Sequence, residues 1–405
     1  MTAGFFSPLP PARTGVADYS AALLEVLGKL CDVRVGDTGA DVCLYHIGTN
    51  PLHAEIYRQA LARPGVVVLH DAVLDHLLLG CFDRQGYIEE FVYNYGEFER
   101  GLAAELWDGR SRSALDPRYF ERALVRRIAE VSRAVVVHNP AAARIVREHA
   151  PGARVVEIPH LFTEHSNVEA AGKKLWGRLS NLRRVGNPPV SLGLRGTPGA
   201  GSQPARRIPS CPTSGKSACA TDADGFLFGV FGHLRGSKRI PAILRAFDRV
   251  RSSGAAARLL VAGDFVSKEL ENALAPMLAA PGVTRVPYLP EAGFQTLAAD
   301  VDACISLRSP SAGETSGIAI RLMGIGKPVL VSAGEEVARF PENAVIRIDR
   351  GLAEEPQLVD YMMWLVEHPE RARQVGARAA AYIAAYHAPD LVALRYFELL
   401  SSCCR

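Results

Sequence analysis

The chain has 405 residues, 48% of them apolar and 22% charged, with a net charge of +3. That length points to two or three domains, and that composition fills sizeable cores, which excludes a chain disordered throughout. So small a net charge excludes any argument for nucleic acid or an anionic membrane from charge alone.

The first fifteen residues hold no basic stretch and meet prolines before any long apolar run, so they read as neither a signal peptide nor a transit peptide. No run of about 18 apolar residues occurs, and no membrane-spanning helix is expected. Eight cysteines lie scattered without a paired C-x-x-C spacing, which points to a reducing cytoplasm and to no metal site.

Short β-branched runs then alternate with helix-period segments. Val42–Tyr45, Val66–Leu69 and Ala134–Val137 look buried on both faces, as strands of a parallel sheet are. Helices are expected over Asp18–Leu30 and Pro117–Ser132. The alternation restarts at Phe226–Phe231, a strand, followed by a helix over Ile240–Arg251 and a strand over Arg258–Ala262. Arg285–Tyr288, Ala303–Leu307 and Pro328–Val331 continue the series. Two such series predict an α/β protein with two Rossmann-like doubly wound domains facing a cleft, ligands sitting at the carboxyl ends of the strands. The expected boundaries are 1–162 and 224–386, with a C-terminal helical segment over 387–405.

Between the domains, 163–223 forms a Gly/Pro/Ser-rich segment with nine lysines and arginines from Lys173 to Lys216 and no acid from Ala170 to Thr221. This is the composition of a linker or disordered insertion, or of an out-of-frame stretch, rather than of a nucleic-acid arm. Its Gly-Lys-Ser at 215–217 lacks the first glycine of a P-loop. Asp222–Asp224 and Asp300–Asp302 match a metal-binding D-x-D but fall at a linker end and a strand start.

Four segments carry chemistry. Ser7–Ser20 runs from a strand through a proline-rich turn to Gly15 at a helix start, where free N–H groups can meet an anion; a plain tight turn explains it nearly as well. His70 ends an apolar strand, placed to meet a substrate or satisfied by local backbone. Gly232, His233, Arg235, Lys238 and Arg239 set a glycine turn and a cluster of cations beside a helix start, suited to a developing diphosphate charge. Surface solvation explains any one of these cations and not the group. Arg308–Ile318 ends in Glu314, Thr315, Ser316, Gly317 and Ile318 ahead of an apolar helix, again a phosphate-facing N-terminus.

In their order and placement these segments resemble the retaining GT-B glycosyltransferases of family four. The resemblance spans about Phe5–Phe162 and Gly225–Tyr396. It implies catalytic roles for His70, Lys238 and Glu314. It implies that Gly15, Gly232, His233, Arg235, Arg239, Thr315, Ser316, Gly317 and Ile318 bind the donor, and that the last helix crosses back to the first domain. The donor would be a nucleotide-diphosphate sugar, with no cofactor and no metal; the acceptor would be a saccharide or lipid-linked. Two positions depart from the family pattern. His233 stands where an arginine is usual, so Arg235 or Arg239 would substitute, and Leu322 stands where a second acid is usual. A non-catalytic nucleotide-sugar-binding or scaffolding relative is the rival reading, and a sugar-nucleotide epimerase a third. Lipid-linked acceptors would bring a peripheral membrane contact, and Arg110 to Arg133 is arginine-rich; interspersed acids make that region read better as a solvated face.

Overall fold

The structure, a computed structural model, describes residues 1–113, 116–163 and 225–404. The basic segment, apart from Thr163, lies outside the described residues, as do its Gly-Lys-Ser and Asp222–Asp224. The first sheet contains β1 (Thr2–Phe6), β2 (Asp32–Val35), β3 (Val42–Ile47), β4 (Val66–Leu69), β5 (Ala134–Val137) and β6 (Val155–Glu157). The second contains β7 (Phe226–Phe231), β8 (Ala257–Ala262), β9 (Val283–Val286), β10 (Ala303–Ser306), β11 (Val329–Ser332) and β12 (Ile346–Ile348). Their orders are β2-β1-β3-β4-β5-β6 and β12-β11-β10-β7-β8-β9. All pairings are parallel, with Phe5 level with Leu44 and Phe228 level with Leu259.

Helices cover both faces of each sheet, so β3, β4 and β5 are buried along their whole length. The first domain carries α1 (Gly15–Leu27), α2 (Ala54–Ala62), α3 (Asp75–Cys81), α4 (Arg84–Tyr95), α5 (Arg100–Gly109), α6 (Arg126–Val131) and α7 (Pro140–His149). The second carries α8 (Ile240–Ser252), α9 (Lys268–Leu278), α10 (Glu291–Asp300), α11 (Gly317–Gly324), α12 (Glu354–Glu367) and α13 (Pro369–Tyr386). The last helix, α14 (Pro389–Ser402), packs on the first sheet, where Val392, Tyr396 and Leu400 join Phe5, Leu23 and Leu44 in one core. Each such fully buried leucine contributes roughly 2 kcal/mol. Tyr396 Oη also meets Tyr19 Oη at 2.9 Å, so the buried hydroxyls satisfy each other.

Several elements differ from the sequence expectation for identifiable reasons. α1 starts at Gly15 rather than Asp18, because Thr14 caps it by accepting from Ala17 N at 3.1 Å. The segment 117–132 is not one helix. A 3₁₀ turn over Pro117–Phe120 is separated from α6 by Leu124 at φ 53°, and the Ala123 carbonyl accepts from Leu74 N at 2.8 Å instead of from its own helix. β9 ends at Val286, two residues before the expected end, where Gly263 N bonds Val286 O and the Asp264 side chain takes Tyr288 N. β2, β6 and β12 were not expected at all. They are three or four residues long at sheet edges, and β2 is largely exposed, so no apolar run marks it.

No helix among the described residues is long and apolar enough to cross a membrane. Arg118 pairs with Asp116 and Glu105, Arg126 with Glu130, Arg127 with Glu90 and Arg122 with Glu99. The arginine-rich region is therefore largely neutralised by its own acids. The six described cysteines form no disulfide.

Candidate active site in the interdomain cleft

Each sheet reverses its winding beside its first strand, at β1/β3 and at β7/β10. Loops leaving the carboxyl ends on either side of such a reversal splay apart and make a crevice. In the second domain those two loops are Gly232–Lys238 and Leu307–Ser316, the segments the sequence singles out.

The β7 loop turns sharply at Gly232, φ 86°, where a Cβ would stand 2.9 Å from Lys238 Nζ. Glycine is thus needed for the conformation, and a Cβ would also displace the Lys238 ammonium. Lys238 is buried, and its ammonium donates to Phe231 O. Burial, with Arg308 and Arg235 nearby, pushes its pKa well below the usual lysine value. An anion entering here would relieve that strain on the charged form. His233 is held neutral chiefly by burial and bonds the main chain of Arg13, whose guanidinium lies 5.3 Å from the Tyr288 ring centre. The Ser7–Thr14 loop therefore reaches across to the second domain. Gly15 itself, the first residue of α1, has nothing within 4 Å of where a Cβ would sit.

Arg235 is exposed at the surface and senses Arg308, Asp71 and Glu314. Arg239 is not brought to this group. It takes a left-handed turn, φ 59°, and its guanidinium lies 2.8 Å from the buried Glu354 carboxylate on α12. Of the two arginines expected to stand in for the residue at His233, only Arg235 is on the cleft side.

The β10 loop is anchored by Ser309 N to Ser237 O, 2.8 Å, which ties it to the β7 loop. Ile318 packs beside Gly232, so the two loops are in direct contact. Within it Glu314 Oε2 accepts from Ala312 N at 2.7 Å and Ser311 Oγ at 3.1 Å, while Oε1 lies 3.1 Å from Arg308 Nε. Burial alone would raise the Glu314 pKa; Arg308 and the amide donors outweigh it, and the carboxyl stays below its usual range. Ser316 caps α11 by accepting from Ala319 N, and Gly317 opens the helix beside the His160 ring. A small cavity runs from Arg308, Glu314, Thr315 and Ser316 toward Ser332 and Arg350.

From the first domain, His70 leaves β4 with Nε2 3.1 Å from His46 Nδ1, edge-on to Tyr19 and 5.2 Å from the His138 ring. Burial, then the neighbouring histidines, keeps it neutral. Its neighbour Asp71 accepts from Thr49 N at 2.9 Å and Thr49 Oγ1 at 3.2 Å. Burial first, and the Glu314 charge second, raise the Asp71 carboxyl. The domains are joined here by Ala72 N and Val73 N to Ala312 O, at 2.7 and 3.1 Å. Asn139 Nδ2 adds bonds to Gly313 O and Thr315 Oγ1, both 2.9 Å.

Sequence reading missed Asp71, Arg308 and Asn139. Arg308 stood inside a segment already singled out and Asp71 directly follows His70, both at strand carboxyl ends. Asn139 carried only the signature of a helix cap, which it also is, accepting from Ala142 N. Where the family pattern has its second acid, Leu322 is core and Arg321 pairs with Glu291. Asp302 accepts from Leu227 N, an anchor between strands.

No family model and no curated protein sequence matches the chain. Solved structures do. Sucrose-phosphate synthase (tll1590) from Thermosynechococcus elongatus aligns with a TM-score of 0.62 at 14% identity, covering 99% of this chain and 98% of that one. Anabaena Alr3699/HepE in complex with UDP-glucose aligns at 0.57 and 13%, covering 99% and 100%. WaaG, a glycosyltransferase involved in lipopolysaccharide biosynthesis, aligns at 0.57 and 12%, covering 99% and 100%. At these identities the likeness is one of fold, and the fold is GT-B.

Proposed function

We propose that the chain is a glycosyltransferase that moves a sugar from a nucleotide-diphosphate donor to a saccharide or lipid-linked acceptor, with retention of configuration and without a metal. The observation that supports it best is that the loop of buried Lys238 and the Glu314 loop are tied together, through Ser309 N to Ser237 O, at the carboxyl end of the second sheet's reversal. Lys238, Arg235 and the N-terminus of α11 oppose the charge that grows on the departing diphosphate. Glu314, kept ionised by Arg308, accepts hydroxyls of the donor sugar. The acceptor enters from the side of His70 and Asp71. That HepE was solved with UDP-glucose is in keeping with such a donor. A cytoplasmic site of action, with peripheral contact to a membrane that carries the acceptor, completes the reading.

The non-catalytic alternative draws on Leu322 and Arg321, which leave α11 without the acid the family pattern uses. A thermal-shift screen against UDP, GDP, ADP and their sugar conjugates, with chelator present, tests both. Stabilisation by one series followed by transfer with retained configuration supports the enzyme. Stabilisation with no transfer to any acceptor favours the binding relative, and silence from folded protein rejects the enzyme and leaves the scaffolding relative.

A further inference from the structure

We propose that His46 is a positioning residue for the transfer reaction, holding the His70 ring in one orientation and one tautomer from beneath; the inference rests on the glycosyltransferase reading above. His46 is the fifth residue of β3 and is fully buried, in a position where its neighbours on the strand are Tyr45 and Ile47. Its ring lies against Phe5 at 4.9 Å and Tyr19 at 5.9 Å. A phenylalanine would fill that space with no polar atom to satisfy.

The imidazole instead buries two nitrogens. Nε2 has no partner among the described residues, and Nδ1 has one, His70 Nε2 at 3.1 Å. Burying a polar ring is unfavourable unless its hydrogen bonds are made. The ring's single bond is therefore its physical rationale, and that bond ends on His70. The main chain around it is fixed from both sides, by His53 Nδ1 on His46 O at 2.8 Å and by His70 N on Ile47 O at 2.9 Å.

Two neutral imidazoles can share such a bond only if one supplies N–H and the other a lone pair. Both rings are held neutral by burial and by the surrounding His53, His138 and His160. A buried N–H without an acceptor costs more than an unpartnered lone pair, so the His46 proton belongs on Nδ1, where it is donated to His70 Nε2, and the His70 proton is thereby held on Nδ1. With Nε2 engaged, Nδ1 of His70 is the nitrogen that makes no protein hydrogen bond among the described residues and is available to a bound sugar. Tyr19, tied through its hydroxyl to Tyr396, and the His138 ring prevent the His70 ring from swinging away.

The test uses the full chain and two substitutions. His46→Phe keeps a ring and removes Nδ1; His46→Asn returns a polar atom close to the Nδ1 position. We expect His46→Phe to lose at least tenfold in kcat with donor KM within twofold and no loss of melting temperature. His46→Asn should regain at least a third of the lost rate. In ¹⁵N-histidine-labelled protein, the His70 ring signals, assigned by their disappearance in His70→Ala, should show one fixed tautomer that becomes a mixture in His46→Phe. Unchanged kcat in folded His46→Phe overturns the proposal. So does an equal loss in both variants that follows their melting temperatures, which is what a purely structural role predicts. If wild-type protein transfers no sugar, the underlying reading fails, and the ring signals still decide the positioning: unchanged signals overturn it and a released tautomer supports it. Should His46→Phe not fold, a mixed His70 tautomer in the wild-type protein overturns the proposal and a single one supports it.

Discussion

The two domains share one sheet architecture and meet the cleft with opposite chemistry. The first offers neutral rings: Tyr19, His70, His138 and His160 lie at or behind its strand ends, with ring centres 4.6 to 5.5 Å apart between neighbours. The second offers charge: Lys238, Arg235, Arg308 and Glu314 on two touching loops. For the proposed transfer, dividing the work would let one wall meet phosphate while the other presents hydrogen-bonding groups whose protonation is fixed by burial.

The sharpest way to break this comparison is at neighbouring residues of the charged wall. Lys238→Ala should lose at least about a hundredfold in turnover, the scale for removing one strong transition-state donor. Arg239→Ala should leave turnover within a few-fold yet lower stability by roughly 2 kcal/mol, because it strands the buried Glu354 carboxylate. Steady-state kinetics beside chemical denaturation separates them, and equal kinetic losses would mean that adjacency, rather than direction, decides. Glu314→Gln comes next, with about a tenfold drop in kcat/KM, since a neutral amide cannot balance Arg308.

The neutral wall is sharpened by acid. A histidine kept neutral in the fold binds fewer protons than it does in the unfolded chain, so its contribution to stability is complete above pH 6.5 and declines as pH falls, until the native pKa is reached. For His138, lowered by burial to about 4, that window runs from about 6.5 to about 4. Each such group weakens the first domain by about 1.4 kcal/mol per pH unit within it. Hydrogen exchange at pH 7.5 and 5.5 should therefore show protection lost earlier in β3–β5 than in β7–β10. Uniform loss would remove the histidine layer as the cause.

The charged wall, Arg308's part in it aside, was legible in the sequence because its residues are close together along the chain: Gly232 to Lys238 and Arg308 to Ile318 are each one loop after one strand. The buried strands were legible for a similar reason, since β4 and β5 are continuous valine-rich runs. What escaped was whatever depends on meeting across the fold. Asp71 faces Glu314 only because two sheets oppose their carboxyl ends, and His46, His70, His138 and His160 lie on β3 and after β4, β5 and β6. Arg239 read as a stand-in for the arginine missing at His233 until its own left-handed conformation turned it toward α12.

The smallest predicted effect concerns the seam that brings the walls together. Asn139 donates to Gly313 O and Thr315 Oγ1, while Gly313, at φ 73°, leaves room where a Cβ would lie 2.9 Å from Ala72 Cβ. Asn139→Ala removes these two bonds and also the bond from Ala142 N that caps α7, and should weaken domain closure by about 1 kcal/mol. Gly313→Ala adds backbone strain to a contact that cannot yield freely and should weaken it by a similar or slightly larger amount. Both should raise donor KM a few-fold while leaving kcat at saturation nearly unchanged, because closure is then drawn from binding energy rather than from the chemical step. Small-angle scattering of the unliganded variants would show a larger radius of gyration if the seam holds the domains together. An unchanged radius, with unchanged KM, would mean that the main-chain bonds from Ala72 and Val73 to Ala312 suffice on their own.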